Sequence, residues 1–179
     1  NDLKAFVPGG GSAPWFVEDQ LDIPFEGKQA GAAGSMLGSG AIMVMDSTTN
    51  IPKAAYTLTK FYAHESCGKC TPCREGGTWL MRMLERVVAG HGTDADLDQM
   101  REVGQTICPG EMPHASSERL GLEAVPFPYK MTTICFVGPS AWAPLHSALT
   151  LFPEEFDAIV TKVPKRVSIP VTALTGADA

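Results

Sequence analysis

The chain has 179 residues, of which 44% are apolar and 19% are charged, and its formal net charge at pH 7 is −6. This composition is enough for one ordinary domain or two small ones with a buried core, and it excludes a disordered protein. The negative charge, without any basic stripe, argues against binding to nucleic acid. No apolar stretch reaches the ~18 residues that would span a bilayer, so direct membrane insertion is not expected.

The amino terminus and the cysteines add two indications. There is no signal peptide, and the first residue is Asn1 instead of Met, which we interpret as the start of a fragment of a longer polypeptide. Cysteines two residues apart seldom form disulfides, and without a secretion signal they favour metal or cluster ligation in a reducing compartment. The five cysteines are Cys67, Cys70, Cys73, Cys108 and Cys135.

The predicted elements change type at about residue 50. Residues 1–49 are rich in glycine and proline and predict strands over 5–7 and 41–45, with a loop over 31–40 between them. From residue 50 the apolar residues recur at helical spacing, with Asn50 as a plausible N-cap and Pro52 in the first turn. A second helix follows the cysteines and ends at residues 90–92. Thr93 or Asp94 caps a third.

The carboxy-terminal part predicts a loop, a fourth helix and a tail. Residues 109–131 contain several prolines and no periodicity, which indicates a loop. A fourth helix is predicted from about Ser140, and Pro153 starts a further helical turn. The tail from Pro164 shows little pattern. The apolar faces predicted for the second, third and fourth helices are Trp79, Leu80, Met83, Leu84 and Val87; Leu97, Met100 and Val103; and Leu145, Ala148, Leu149 and Phe152.

The cysteine run carries the chemistry. The spacing C-x2-C-x2-C puts the thiolates of Cys67, Cys70 and Cys73 on one tight loop, which suits three corners of a [4Fe-4S] cube and requires a fourth cysteine from elsewhere. Structural zinc more often uses separate C-x2-C pairs or a histidine, so a cluster is favoured over zinc. A two-cluster ferredoxin would have its next cysteine four residues on, where this chain has Gly77.

The cysteine run and its flanks resemble a known family. Residues 65–76, ESCGKCTPCREG, resemble the cluster signature of the flavoprotein (51 kDa-type) subunit of respiratory complex I, NADH:quinone oxidoreductase. Residues 7–14 and 34–46 resemble the turn and following strand of that family's β-grasp, soluble-ligand-binding domain. Residues 133–135 and 141–156 resemble its fourth-ligand segment and closing helix. The resemblance covers about residues 3–160, except 109–131.

The resemblance implies an α+β fold with three parts. Residues 1–49 would be a partial β-grasp domain. Residues 50–163 would be an all-α bundle of roughly four helices that carries the cluster, and residues 164–179 a tail. The family's glycine-rich domain, which binds FMN and NADH, lies amino-terminal to this region, so no catalytic, flavin or nicotinamide contacts are assigned here.

The implied function is electron transfer through one [4Fe-4S] cluster, which accepts electrons from FMN in the NADH-oxidising module. The parent enzyme would be an NADH dehydrogenase, and the fragment alone is expected to be inactive. The implied partners are peripheral-arm subunits, including the 24 kDa-type [2Fe-2S] subunit and the large iron–sulfur subunit. The implied location is peripheral, on the cytoplasmic side of a bacterial inner membrane. Two alternatives remain open: the equivalent subunit of an NAD-linked hydrogenase or formate dehydrogenase, and a zinc-stabilised interaction module.

The fourth ligand is predicted to be Cys135, with Cys108 as the alternative. Both cysteines end a Thr-Ile-Cys triplet, so the local sequence does not decide between them. Spacing favours Cys108, which lies nearer to the distance from Cys73 that the family shows. Context favours Cys135, because residues that resemble the closing helix follow it. An inserted loop costs little closure entropy, whereas losing the helix that positions a ligand costs more, so context outweighs spacing.

Overall fold

The computed structural model describes residues 2–109 and 130–163. The predicted loop over 109–131, apart from its ends, and the predicted tail therefore lie outside the described residues. The described part contains two strands, a 3-10 turn, six α-helices and a π-helical turn. Their bounds are β1 (Leu3–Val7), the 3-10 turn (Glu18–Gln20), α1 (Gly27–Ala32), β2 (Met43–Asp46), α2 (Ile51–Glu65), the π-turn (Pro72–Gly76), α3 (Gly77–Val88), α4 (Asp94–Ile107), α5 (Val137–Leu151) and α6 (Pro153–Asp157).

The two predicted strands are confirmed, and they form an antiparallel pair. Ala5 lies opposite Met45 and Val7 opposite Met43. Ala5 and Val7 are completely buried, while Val44 is 69% exposed. This alternation follows from the period of two along a strand, so one face of the pair packs on the core and the other faces outward. The 3-10 turn and α1 were not predicted, and α1 overlaps the start of the predicted 31–40 loop.

The helix starts at Asn50 and Thr93 are confirmed. The Asn50 side chain accepts a hydrogen bond from the Lys53 amide at 2.9 Å, which satisfies one of the unpaired donors of the first turn of α2. Thr93 and Asp96 form a reciprocal capping box at the start of α4. Arg86 of α3 binds the same Asp96 carboxylate and so ties α3 to α4.

The predicted apolar faces are confirmed with two exceptions. Phe61 on α2 and Trp79 on α3 are each 54% exposed. The buried stripe of α3 runs through Leu80, Leu84 and Val87, at i, i+4 and i+7, and Trp79 lies about 100° around the helix from Leu80. Hydrophobicity alone therefore assigned Trp79 to the core, but its angular position turns it outward.

Helix α5 begins at Val137, three residues before the predicted start at Ser140. Pro139 lies in the first turn, where the missing N–H costs nothing, but Pro144 lies inside the helix and removes one hydrogen bond. Most residues of α5 are buried, including Trp142 and Leu145. A helix that is buried on nearly all sides lacks the one-sided apolar pattern from which a helix start is read.

The helices pack so that the cysteine run lies between their ends. Helix α2 packs against α3 and α5, and α4 packs against the same two helices. Their shared core is continuous with the inner face of the strand pair, through Trp15 and the β1 residues Ala5 and Val7. None of the helices in the described ranges has the length and apolar character needed to cross a membrane.

Candidate metal centre

The loop that carries the three cysteines connects α2 to the π-turn. Helix α2 ends at Glu65, and Cys67 and Cys70 follow before the π-turn begins at Pro72. Gly68 has φ +77°, a backbone angle that costs energy for residues with a Cβ atom. The loop is also held from inside, because the Arg74 guanidinium donates to the Gly68 carbonyl at 2.7 Å. The chain thus reverses direction sharply between the first two cysteines.

The three sulfurs of the loop have different environments. Cys67 is exposed, Cys70 is half-buried and Cys73, in the π-turn, is buried. The Ser66 hydroxyl lies 3.3 Å from the Cys73 sulfur, so it can donate to a thiolate there. The π-turn widens the helical spacing at the point where Cys73 enters the core. Such turns often occur at functional sites.

A second segment, distant in sequence, meets this loop. The Ile134 amide donates a hydrogen bond to the Cys70 sulfur at 3.3 Å. The Thr132 amide bonds to the Ile107 carbonyl at 3.0 Å, so the segment is anchored to the end of α4. Cys135, the residue after Ile134, is exposed. The structure therefore brings the Cys135 segment to the cysteine loop.

Cys108 lies in a different environment. It is the C-cap residue of α4 and only 1% exposed. Burial raises the pKa of the Cys108 thiol to about 12. A thiol in these surroundings is kept protonated, whereas iron and zinc bind thiolates. Cys108 is therefore poorly suited to act as a ligand in the described conformation.

The donor set fits a cluster better than a single ion. No group of three His, Cys, Asp or Glu side chains within residues 2–109 and 130–163 is arranged to hold one metal ion. In a four-iron cube each thiolate binds a different iron, so its ligands stand further apart than those of one ion. The Ile134 amide and the Ser66 hydroxyl supply hydrogen bonds to sulfur of the kind that tunes such clusters.

Two histidines on the surrounding helices have structural roles, and two donors at the sulfurs were not predicted. His64 lies in the last turn of α2, where a cation is favourable for the helix dipole. His146 packs edge-on against Trp142, with ring centroids 5.4 Å apart, on α5. The roles of Ser66 and the Ile134 amide were missed. Ser66 directly precedes Cys67 and could have been noticed, but no sequence signal identifies a backbone donor 64 residues away from its acceptor.

Comparisons with known proteins identify the class to which this fold and loop belong. The family model described as the NADH-ubiquinone oxidoreductase-F iron-sulfur binding region matches residues 53–159. This chain belongs to that family. The matched range begins inside α2 and ends just after α6, so it includes every helix that surrounds the cysteine loop.

Curated relatives carry one name, that of the F subunit of NADH-quinone oxidoreductase. The chain is 38% identical over 159 residues to this protein from Streptomyces coelicolor, covering 89% of this chain and 30% of the relative. It is 46% identical over 116 residues to the protein of the same name from Rickettsia bellii, covering 60% of this chain and 27% of the relative. The chain thus spans less than a third of the length of these relatives.

Solved structures support the fold. A chain of an NAD+-reducing [NiFe]-hydrogenase in the H2-reduced state aligns with a TM-score of 0.68 at 23% identity, over 90% of this chain and 24% of that one. A chain of an NAD+-reducing [NiFe]-hydrogenase in the air-oxidised state gives a TM-score of 0.70 at 22% identity, over 97% and 26%. At these identities the likeness concerns the fold alone.

Proposed function

We propose that this chain holds one [4Fe-4S] cluster through Cys67, Cys70, Cys73 and Cys135 and passes electrons singly in an NADH-oxidising module. The observation that carries the proposal is the hydrogen bond from the Ile134 amide to the Cys70 sulfur, 3.3 Å long. It joins the three-cysteine loop to the segment with the fourth cysteine. When bound, the cluster would supply a one-electron carrier between a two-electron donor and later acceptors.

The charges around the loop support this assignment. A cluster with four thiolates is anionic, and its reduced form is more so. Lys69 and Arg74 lie within the loop, and Arg74 is held there by the Gly68 carbonyl and by Glu75. Amide and hydroxyl donors at Cys70 and Cys73 further favour negative sulfur. The buried, protonated Cys108 offers none of these features, which supports Cys135 as the fourth ligand.

The wider assignment follows the relatives. Their name favours a parent enzyme that oxidises NADH and serves a quinone-reducing complex. FMN and NADH would be bound by another part of the parent polypeptide, and the fragment alone would be inactive. Within the chain, residues 1–49 would be part of a β-grasp domain, 50–163 a four-helix cluster domain and 164–179 a tail.

The proposed assembly is a peripheral one. The partners would be other subunits of the same arm, including the 24 kDa-type [2Fe-2S] subunit and the large iron–sulfur subunit. The location would be the cytoplasmic face of a bacterial inner membrane. A second candidate is the equivalent subunit of an NAD-linked hydrogenase, since two NAD+-reducing [NiFe]-hydrogenase chains share the fold. The NADH-quinone oxidoreductase relatives, at 37% and 46% identity, favour the quinone-linked enzyme.

Metal analysis of the full-length protein tests the cluster. Protein purified without oxygen is expected to contain about four irons and four acid-labile sulfides per chain and to give an EPR signal on reduction. One colourless zinc without sulfide would replace the proposal with a zinc-stabilised interaction module. Assays on the native complex then separate the two parents: NADH-dependent quinone reduction supports the first, and H2-dependent NAD+ reduction the second.

A further inference from the structure

Ile107, the last residue of α4, lies between the two segments that carry the proposed ligands. Its side chain is completely buried. It precedes Cys108 but takes no part in metal binding itself. Because it is β-branched, its side chain has few rotamers and behaves as a rigid block in a packed core.

One side of Ile107 supports the π-turn. A Cβ atom added at Gly76 would lie 3.2 Å from Cδ1 of Ile107 and 3.4 Å from Cγ1. The same atom would lie 3.4 Å from Val103. The π-turn therefore rests on Ile107 with no space for one more methyl group. Cys73 lies in this turn, three residues before Gly76.

The other side of Ile107 supports the segment that carries Cys135. The Ile107 carbonyl accepts the Thr132 amide at 3.0 Å, and the neighbouring Thr106 carbonyl accepts the Thr132 hydroxyl at 2.6 Å. A Cβ atom at Gly138 would lie 3.2 Å from Cγ2 of Ile107. The chain is thus attached to Ile107 both before and after Cys135.

We propose that Ile107 is the positioning residue of the cluster site, and that its bulk sets the separation between Cys73 and Cys135. This inference rests on the proposed function, because it concerns how the same four ligands are held. A cube of fixed size tolerates little error in the separation of its ligands. One residue that contacts both ligand segments fixes that separation directly, without relying on the α3 and α5 helices.

Adjacent glycines provide a matched test. Gly76→Ala adds a methyl group against Ile107, whereas Gly77→Ala adds one whose nearest neighbour is Ala63 Cα at 3.8 Å, an ordinary contact. Both glycines have helical backbone angles, with φ near −60° (−61° and −59°), so alanine is unstrained at either position. The pair Gly76→Ala/Ile107→Val removes Cδ1, the atom nearest to the added methyl group, and should restore the fit.

The variants are made in the full-length protein, purified without oxygen, and compared by iron content, EPR and thermal unfolding. Gly76→Ala is expected to lose about one iron of four and to show a [3Fe-4S] signal when oxidised, because one ligand no longer reaches its iron. Gly77→Ala should match the wild type, and the double variant should regain most of the iron. A merely structural defect would lower the unfolding temperature without producing the three-iron signal.

Three results would overturn the inference. Gly76→Ala could keep all its iron and the wild-type spectrum, or Ile107→Val could fail to restore a depleted cluster. If Gly76→Ala does not fold, Ile107→Val alone decides: a changed EPR line shape is expected, and an unchanged one contradicts the proposal. Absence of a cluster from the wild type and from Gly77→Ala would instead disprove the proposed function, so the two failures are distinguishable.

Discussion

The same tripeptide, Thr-Ile-Cys, occurs at residues 106–108 and 133–135, and the fold treats the two copies in opposite ways. In the first copy Ile107 and Cys108 are buried at the end of α4. In the second copy Ile134 is 78% exposed and Cys135 is exposed as well. Identical local chemistry therefore gives a core element in one place and the rim of a site in the other.

The difference teaches that the surroundings of a cysteine determine its chemistry. The first triplet continues a helix whose buried stripe includes Met100 and Val103, so its isoleucine completes a core. The second triplet precedes α5 and lies against the cysteine loop, where its backbone donates to the Cys70 sulfur. One thiol is enclosed by apolar atoms and the other is open to bind metal.

The largest expected effect comes from removing the two cysteines separately. Cys135→Ala should lose the [4Fe-4S] signal and iron, because the cube loses its fourth ligand. Cys108→Ala should keep both, because its thiol is buried away from the site. Iron and sulfide analysis with EPR of the reduced protein measures the outcome. The reverse result, loss with Cys108→Ala and retention with Cys135→Ala, would exchange the roles of the two triplets.

Alkylation tests the same contrast without mutation. In cluster-free folded protein at pH 8, Cys135 should react readily with iodoacetamide because it is exposed. Burial raises the pKa of Cys108 from 9.0 to about 12. Each unit lowers the thiolate population tenfold, so Cys108 should react about a thousandfold more slowly than in denatured protein.

Peptide mapping by mass spectrometry distinguishes the two sites in one sample. Denatured protein is the internal control, because both cysteines are then accessible. Rapid labelling of Cys108 in the folded state would show that the end of α4 opens easily, and the comparison between the triplets would lose its basis.

Much of this architecture was predictable because local signals agree with the fold. Asn50 and Thr93 accept amide hydrogen bonds at helix starts, which depends on a few neighbouring residues. The cysteine loop was also predictable, since the ligand spacing is a local property of one turn. Helix α1 was missed, because its sequence GKQAGA combines two glycines with no apolar periodicity.

The remaining features depend on contacts between distant parts of the chain. Sequence spacing favoured Cys108 as a ligand, and only the packing around α4 shows that its thiol is buried. The hydrogen bond from Ile134 to Cys70 joins residues 64 positions apart. Trp79 is apolar and helical, yet it faces outward because the buried stripe of α3 passes to one side of it. Such facts are set by tertiary packing, which a window of sequence does not contain.

The pH dependence of stability gives a smaller effect at the first triplet. Burial raises the pKa of Cys108 to about 12, so the folded protein keeps a proton that the unfolded chain releases near pH 9. The stability that the neutral thiol contributes is fully present below pH 9 and is lost as the pH rises towards 12. The loss is about 1.4 kcal/mol per pH unit inside that window.

Urea unfolding at pH 8 and pH 10 measures this loss. Cys108→Ala is the control, because it lacks the thiol and should retain more of its stability at pH 10 than the wild type does. The variant also removes other titrating groups from the comparison, since these are common to both proteins. Equal pH dependence in the two proteins would mean that Cys108 is not enclosed as described.

The smallest expected effect lies at the opposite end of α4, about 20 Å from Ile107 by helix length. Thr93→Ala removes the side-chain oxygen that accepts the Asp96 amide and should lower the free energy of unfolding by about 1 kcal/mol. Thr57→Ala is the matched control, because that exposed threonine bonds only within α2, to the Lys53 carbonyl, and alanine suits a helix.

The two threonine variants separate helix stability from cluster binding. Both should retain the full iron content and the wild-type EPR signal, because the support beneath the cysteines comes from the last turn of α4 and not from its first. Urea unfolding and iron analysis of the same samples measure the two quantities together. Iron loss in Thr93→Ala comparable to that in Cys135→Ala would mean that any weakening of α4 releases the cluster. The contrast between the two Thr-Ile-Cys triplets would then reflect fold stability instead of their local environments.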